Sequence, residues 1–186
     1  MERNLAHIAL FAAVIAVLGL LPKLSLGFGV PITAQSMGVM LAGAVLGSKR
    51  GALAVLLFLL VTALGLPLLA GGRGGLGVFV GPTAGFLVGW VAAAFVTGLI
   101  VEQWRSAPLA IVAGLASVIG GIVVLYGFGI VGMALVLDKT LIEATALVAA
   151  FIPGDFAKAI ITGLLTAALH RARPASILSR QARASA

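Results

Sequence analysis

Six long apolar stretches, separated by short polar, proline or glycine-rich breaks, make up most of the chain. The first covers residues 5–21 and stops at Pro22; the second, 31–47, carries Thr33, Gln35 and Ser36 near its start and ends at a Lys49-Arg50 turn. The third, 51–66, is stopped by Pro67 and followed by a flexible glycine-rich loop from Ala70 to Gly77. Pro82 suits the first helical position of the fourth, 82–101. Glycines from Gly114 to Gly129 stud the fifth, 108–131, a composition that favours close packing against neighbours. After a loop carrying Asp138, Lys139 and Glu143, residues 141–150 read as a short amphipathic or re-entrant helix, and the sixth stretch spans 153–169.

These runs are continuous and near the roughly 20 apolar residues, with about 17 as a lower limit, that carry a helix across a bilayer. None shows the ~10-residue alternation of a transmembrane barrel. The predicted fold is therefore all-α, a single six-helix integral membrane domain over 1–170, with a basic tail over 171–186.

Composition agrees: 62% of the 186 residues are hydrophobic, 9% are charged and the mean hydropathy is +1.25, which leaves no length for a soluble domain. A net charge of +7 would suggest nucleic acid in a soluble protein, but here it reads as topology. With the N-terminus inside, cytoplasmic segments hold eight basic residues (Arg3, Lys49, Arg50, Arg105, Arg171, Arg173, Arg180, Arg183), and the outer side holds three (Lys23, Arg73, Lys139). Both termini are thus predicted to be cytoplasmic, and the loops 22–30 and 70–77 external, together with the start of the sixth span. Residues 1–21 lack a small-residue cleavage site and are read as a span, not a signal peptide. Without cysteine there is no disulfide framework, thiolate chemistry or cysteine-ligated metal.

Charge inside a span is costly, so Asp155 and Lys158 stand out: they are the acid and the lysine that fall within a predicted spanning helix, three residues apart on one face. One reading is a structural ion pair that neutralises itself. The other is a binding pair, Asp155 accepting N–H bonds in the first turn of its helix and Lys158 offering an ammonium to a carbonyl or carboxylate. The glycine loop lacks the Gly-Lys-Ser/Thr ending of a P-loop. It reads better as a lid, with Arg73 either an anion contact or a solvated charge. Thr33, Gln35 and Ser36 are either helix-capping residues or ligand contacts. Trp90 is a candidate pocket wall, Trp104 beside Arg105 an interfacial anchor, and Tyr126 has no assigned role. His7 and His170 lie at span ends and form no triad with serine and acid, so no catalytic or metal-binding residue is predicted.

Four segments together resemble the BioY family: Val30-Pro31-Ile32-Thr33-Ala34-Gln35; Gly65-Leu66-Pro67 with Ala70-Gly71-Gly72 and Gly74-Gly75; Gly81-Pro82-Thr83-Ala84-Gly85-Phe86; and Ile152-Pro153-Gly154-Asp155 with Lys158. The similarity covers about residues 5–170. It implies the substrate-binding (S) component of an energy-coupling-factor transporter, a multi-pass protein of the bacterial plasma (inner) membrane that captures external biotin. The implied ligand-binding set is Asp155, Lys158, Gln35, Thr33, Arg73 and Gly75, with Phe79, Phe86 and Trp90 as apolar walls. It implies partners too, a transmembrane coupling component and ABC-type ATPases, with Ala9 and Ala13 on the first span as the docking face; the alternative is that this face packs within the chain's own bundle. Self-association stays open. No Walker motif is present, so the chain would be no enzyme and carry no cofactor, ATP being used only by the partners. The competing readings are an S component for another vitamin, a non-transporting membrane assembly protein, and an ion-coupled transporter with Asp155 as proton carrier.

Overall fold

The computed structural model describes residues 2–23, 27 and 29–181, so parts of the expected 22–30 loop and of the basic tail, including Arg183, lie outside the described residues. Among those described, the chain makes six helical passes and no strand. They are α1 (Glu2–Leu18), α2 (Gln35–Leu46), α3 (Ser48–Ala63), α4 (Ala84–Gln103), α5 (Leu109–Leu137) and a composite last pass. In that pass the short α6 (Leu141–Val148) runs through a 3-10 turn at Ala149–Phe151 into α7 (Ile152–Ala172). Helices α4, α5 and the α6–α7 pass have both the length and the hydropathy to cross a membrane.

Most boundaries differ by a few residues from the sequence-based expectation, Pro82 lying ahead of the Thr83 N-cap and not at the first helical position, and two of the differences shape the bundle. Helix α2 starts at Gln35, not at 31: Val30–Ala34 stay outside it, and Thr33 Oγ1 accepts from the Gln35 N–H at 3.3 Å, a local side-chain bond of the kind that competes with helix. Twelve residues of helix rise only about 18 Å, well short of a ~30 Å hydrocarbon core. The segment 30–34 supplies part of the missing depth, which is tolerable where irregular backbone is enclosed by protein or lines a cavity. Helix α5 runs on to Leu137 and ends at Asp138, in left-handed conformation with φ 51°. The following loop is correspondingly short. Thr140 and Glu143 then form a capping box, the Glu143 N–H donating to Thr140 Oγ1 at 3.2 Å and the Thr140 N–H to Glu143 Oε2 at 2.8 Å, which starts the short helix expected over 141–150.

Helix α4 sits centrally, packed against α2, α3 and α5, while α7 packs on α5 and α2. Small residues make the close crossings possible. A Cβ at Gly85 would collide with Gly132 and the Phe128 carbonyl, and one at Gly163 with Gly114 and the Ala110 carbonyl. Buried hydroxyls bond back to their own helices, as Thr62 does to the Phe58 carbonyl at 2.8 Å and Thr166 to the Thr162 carbonyl at 2.7 Å.

At the end where α1 begins, the bundle is sealed. Glu102, at the end of α4, accepts from the Ser48 N–H at 2.8 Å and the Ser48 hydroxyl at 3.0 Å, placing a carboxylate on the N-terminus of α3. The segment expected to be a basic tail is in part a packed one: α7 continues to Ala172, and Ile177 and Leu178 bury against Val45, Leu46 and Ala54. Ser179 donates to the Ala44 carbonyl at 2.6 Å.

Candidate functional site

The opposite end is open. Residues 30–36 with the start of α2, the loop through Leu69 and Arg73, the start of α4, the middle of α5 and the start of α7 enclose a cleft of about 550 Å³, part of it continuous with solvent. Its walls are apolar, with Phe86, Leu87, Trp90, Leu125 and Phe151 among them. Phe86 packs on Phe151, two wall rings with centroids 6.1 Å apart, and Trp90 is braced from behind by Phe58 at 6.0 Å.

One polar knot interrupts this apolar lining. Lys158 Nζ lies 2.8 Å from Asp155 Oδ1, the pair expected from their spacing on one helical face. Ser36, from α2, accepts from Lys158 at 3.0 Å and donates to Asp155 Oδ1 at 3.4 Å. Tyr126, from α5, donates to Asp155 Oδ2 at 2.7 Å. Three helices therefore converge on one carboxylate, which stands in the first turn of α7 where the helix dipole favours negative charge. Asp155 is 5% exposed. Such a group stays charged at acceptable cost only with partners of this kind.

The expected site residues divide into three groups. Asp155, Lys158, Thr33, Arg73, Phe86 and Trp90 line the cleft together. Gln35 lines it too, but its amide is committed to holding the fold: Nε2 donates to the carbonyls of Ile15 and Leu68, both at 3.1 Å, and Oε1 accepts from the Ala70 N–H at 2.9 Å. It ties α1, α2 and the glycine loop together and so shapes the cleft mouth. Phe79 and Gly75 are absent from the lining. Phe79 packs against the main core from a 3-10 turn, and Gly75, with φ 79°, donates its N–H to the Thr62 carbonyl at 2.8 Å. Arg73 bends back to the Ala70 carbonyl at 3.4 Å, and burial lowers its guanidinium pKa from the usual arginine range. Tyr126, Ser36 and Phe151 join the site without belonging to the binding set that the family resemblance implies. For Tyr126 the signal was a lone phenol within an apolar span, where a hydroxyl needs a buried partner.

A family model, described as the BioY family, matches residues 2–175. The chain belongs to the BioY family. Within the family, the biotin transporter BioY of Rhodobacter capsulatus is 57% identical over 97% of this chain and 100% of its own length. The biotin transporter BioY of Rhizobium etli is 56% identical over 88% and 90% respectively. The fold likewise resembles a crystal structure of the S-component for biotin from an ECF-type ABC transporter, with a TM-score of 0.86 and 31% identity over 91% of this chain and 92% of that one. This BioY chain thus has the all-helical S-component architecture.

Proposed function

We propose that this BioY chain is the biotin-binding S component of an energy-coupling-factor transporter, taking up biotin from outside the cell. The observation that carries the reading is a buried acid–base pair on the floor of an otherwise apolar, half-open cleft. Biotin has matching parts, a ureido ring with two N–H donors and a carbonyl, an apolar fused ring and aliphatic chain, and a terminal carboxylate. Asp155 accepts a ureido N–H. Lys158 already spends two donors on Asp155 and Ser36, and its third is free for the ureido carbonyl. Phe86, Trp90 and Phe151 enclose the ring and chain, and Arg73 at the loop receives the carboxylate.

In this reading both termini are cytoplasmic, the cleft opens outward and the chain is a multi-pass protein of the bacterial plasma membrane, as its basic residues suggest. The driving force comes from partners, a transmembrane coupling component and ABC-type ATPases. Ala9 and Ala13 on α1 are exposed, which supports their use as the docking face, whereas Ala12 is buried within the bundle.

Calorimetric titration of the detergent-purified protein with biotin tests the proposal. Saturable binding is expected, and no heat with no retained biotin would remove it. Asp155→Asn should weaken binding by about 1–3 kcal/mol, the usual loss when a charged acceptor is neutralised; unchanged affinity in a folded variant would exclude Asp155 as a ligand.

A further inference from the structure

Helix α5 is not a uniform α-helix. Its buried positions recur in pairs every four residues, Val112/Ala113, Ala116/Ser117 and Gly120/Gly121; there Ile122 is buried as well, so the buried face widens by one residue before it continues at Leu125/Tyr126, Gly129 and Met133/Ala134. The extra residue is absorbed in a π turn at Ile119–Val124. Such a turn leaves every later side chain about one residue, or roughly 100°, from where an unbroken α-helix of the same sequence would put it. Leu125 and Tyr126 follow immediately, and both line the cleft.

The surroundings fit this turn closely. A Cβ at Gly120 would strike Thr97 and the Ala93 carbonyl of α4, and one at Gly121 would strike Met40 of α2. Thr97, fully buried, donates its hydroxyl to the Ala116 carbonyl at 3.3 Å, just ahead of the turn, where the regular hydrogen-bond ladder is being left. The product of the rotation is the 2.7 Å bond from Tyr126 to Asp155 Oδ2. With Lys158 and Ser36 on Oδ1, three side-chain donors fill three of the roughly four acceptor positions of the carboxylate and fix its plane. One position, on Oδ2, is left for a ligand N–H.

We propose that Tyr126 is a positioning residue, aimed by the Thr97-supported π turn, that holds Asp155 with a single acceptor position presented to the ligand. The inference rests on the biotin reading above. Because Tyr126 acts through Asp155, it controls the affinity only of ligands whose N–H uses that position. A tyrosine that merely packed would affect all ligands alike.

The test compares wild type, Tyr126→Phe, Thr97→Val and Thr97→Ser, titrated in detergent with biotin and with the two analogues in which one or other ureido N–H is replaced by N–methyl. Tyr126→Phe should weaken biotin by roughly five- to thirty-fold, the range for one buried hydrogen bond. It should leave unchanged the affinity of the analogue that lacks the N–H facing Asp155. Thr97→Val should reproduce that pattern at smaller amplitude, and Thr97→Ser should restore wild-type behaviour. Equal losses for biotin and both analogues would make Tyr126 purely structural and overturn the proposal, as would unchanged biotin affinity in Tyr126→Phe. Weakening in Tyr126→Phe with none in Thr97→Val would remove the π turn from it. If wild type itself fails to bind biotin, the functional reading falls instead.

Discussion

At one end of the bundle Ile177 and Leu178 are buried under α2 and α3, Glu102 closes onto the start of α3, and the Gly47 turn brings α2 and α3 together with almost no loop. At the other end α2 stops short, non-helical chain and a glycine loop take its place, and a cleft opens onto Asp155. The same six passes thus have one end consolidated by apolar burial and by a carboxylate closing on the start of α3, and one end where an acid–base knot joins three helices beside an open cleft. Burial at the first end gives stability that does not depend on a ligand. At the second, donors and acceptors are held in place but not all consumed, so a ligand can complete the set. The difference separates the residues that set stability from those that set affinity.

Removing Lys158 is the most severe way to break that comparison. Lys158→Met strips the ammonium from a 5% exposed carboxylate. Leaving one partner of a buried pair uncompensated typically costs about 3–5 kcal/mol. We expect a large fall in thermal stability in detergent together with loss of biotin retention, both read on one preparation. Full binding by a stable Lys158→Met protein would mean that the pair is neither structural nor part of the site.

Ile177→Ala probes the sealed end. The side chain is fully buried, and truncations of this kind cost roughly 2–4 kcal/mol. Unfolding should shift to lower temperature while the biotin affinity of the folded protein stays at wild type. A change in affinity would show that the two ends are coupled. Glu102→Gln is milder, at about 1–2 kcal/mol, because the substituted amide can still accept from Ser48 but lacks the charge that favours the N-terminus of α3. Denaturation with and without biotin separates the two contributions.

The passes were legible because a bilayer imposes one requirement, a long apolar run, that survives any tertiary arrangement. The acid–base pair was legible for the converse reason, as charge in such a run demands partners. What escaped the pattern depends on contacts between distant segments. That Gln35 spends its amide on α1 and the glycine loop, and that Phe79 turns to the core, follow from which segments meet, which a hydropathy profile does not contain. The packed Ile177-Leu178 pair was hidden by the arginines around it. Helix α2 looked long enough because Val30–Ala34 are mostly apolar, and apolarity alone does not separate helix from irregular chain.

The smallest expected effect concerns a face that belongs to neither end. Ala9 and Ala13 are exposed on α1, one turn apart, while Ala12 and Ile15 on the same helix point into the bundle. A larger apolar side chain at Ala9 therefore displaces lipid or a partner, not the chain's own core. For Ala9→Leu we expect a stability change within about 0.5 kcal/mol and unaltered biotin affinity, as for an ordinary surface substitution. Co-purification with the coupling component, by contrast, should fall, because small residues matter where another helix must approach closely. Lost binding with intact assembly would place this face inside the functional bundle and remove it as a docking surface. The outcome we expect would instead add a third kind of surface to the two ends, one that stabilises nothing within the chain and is kept small for what it meets.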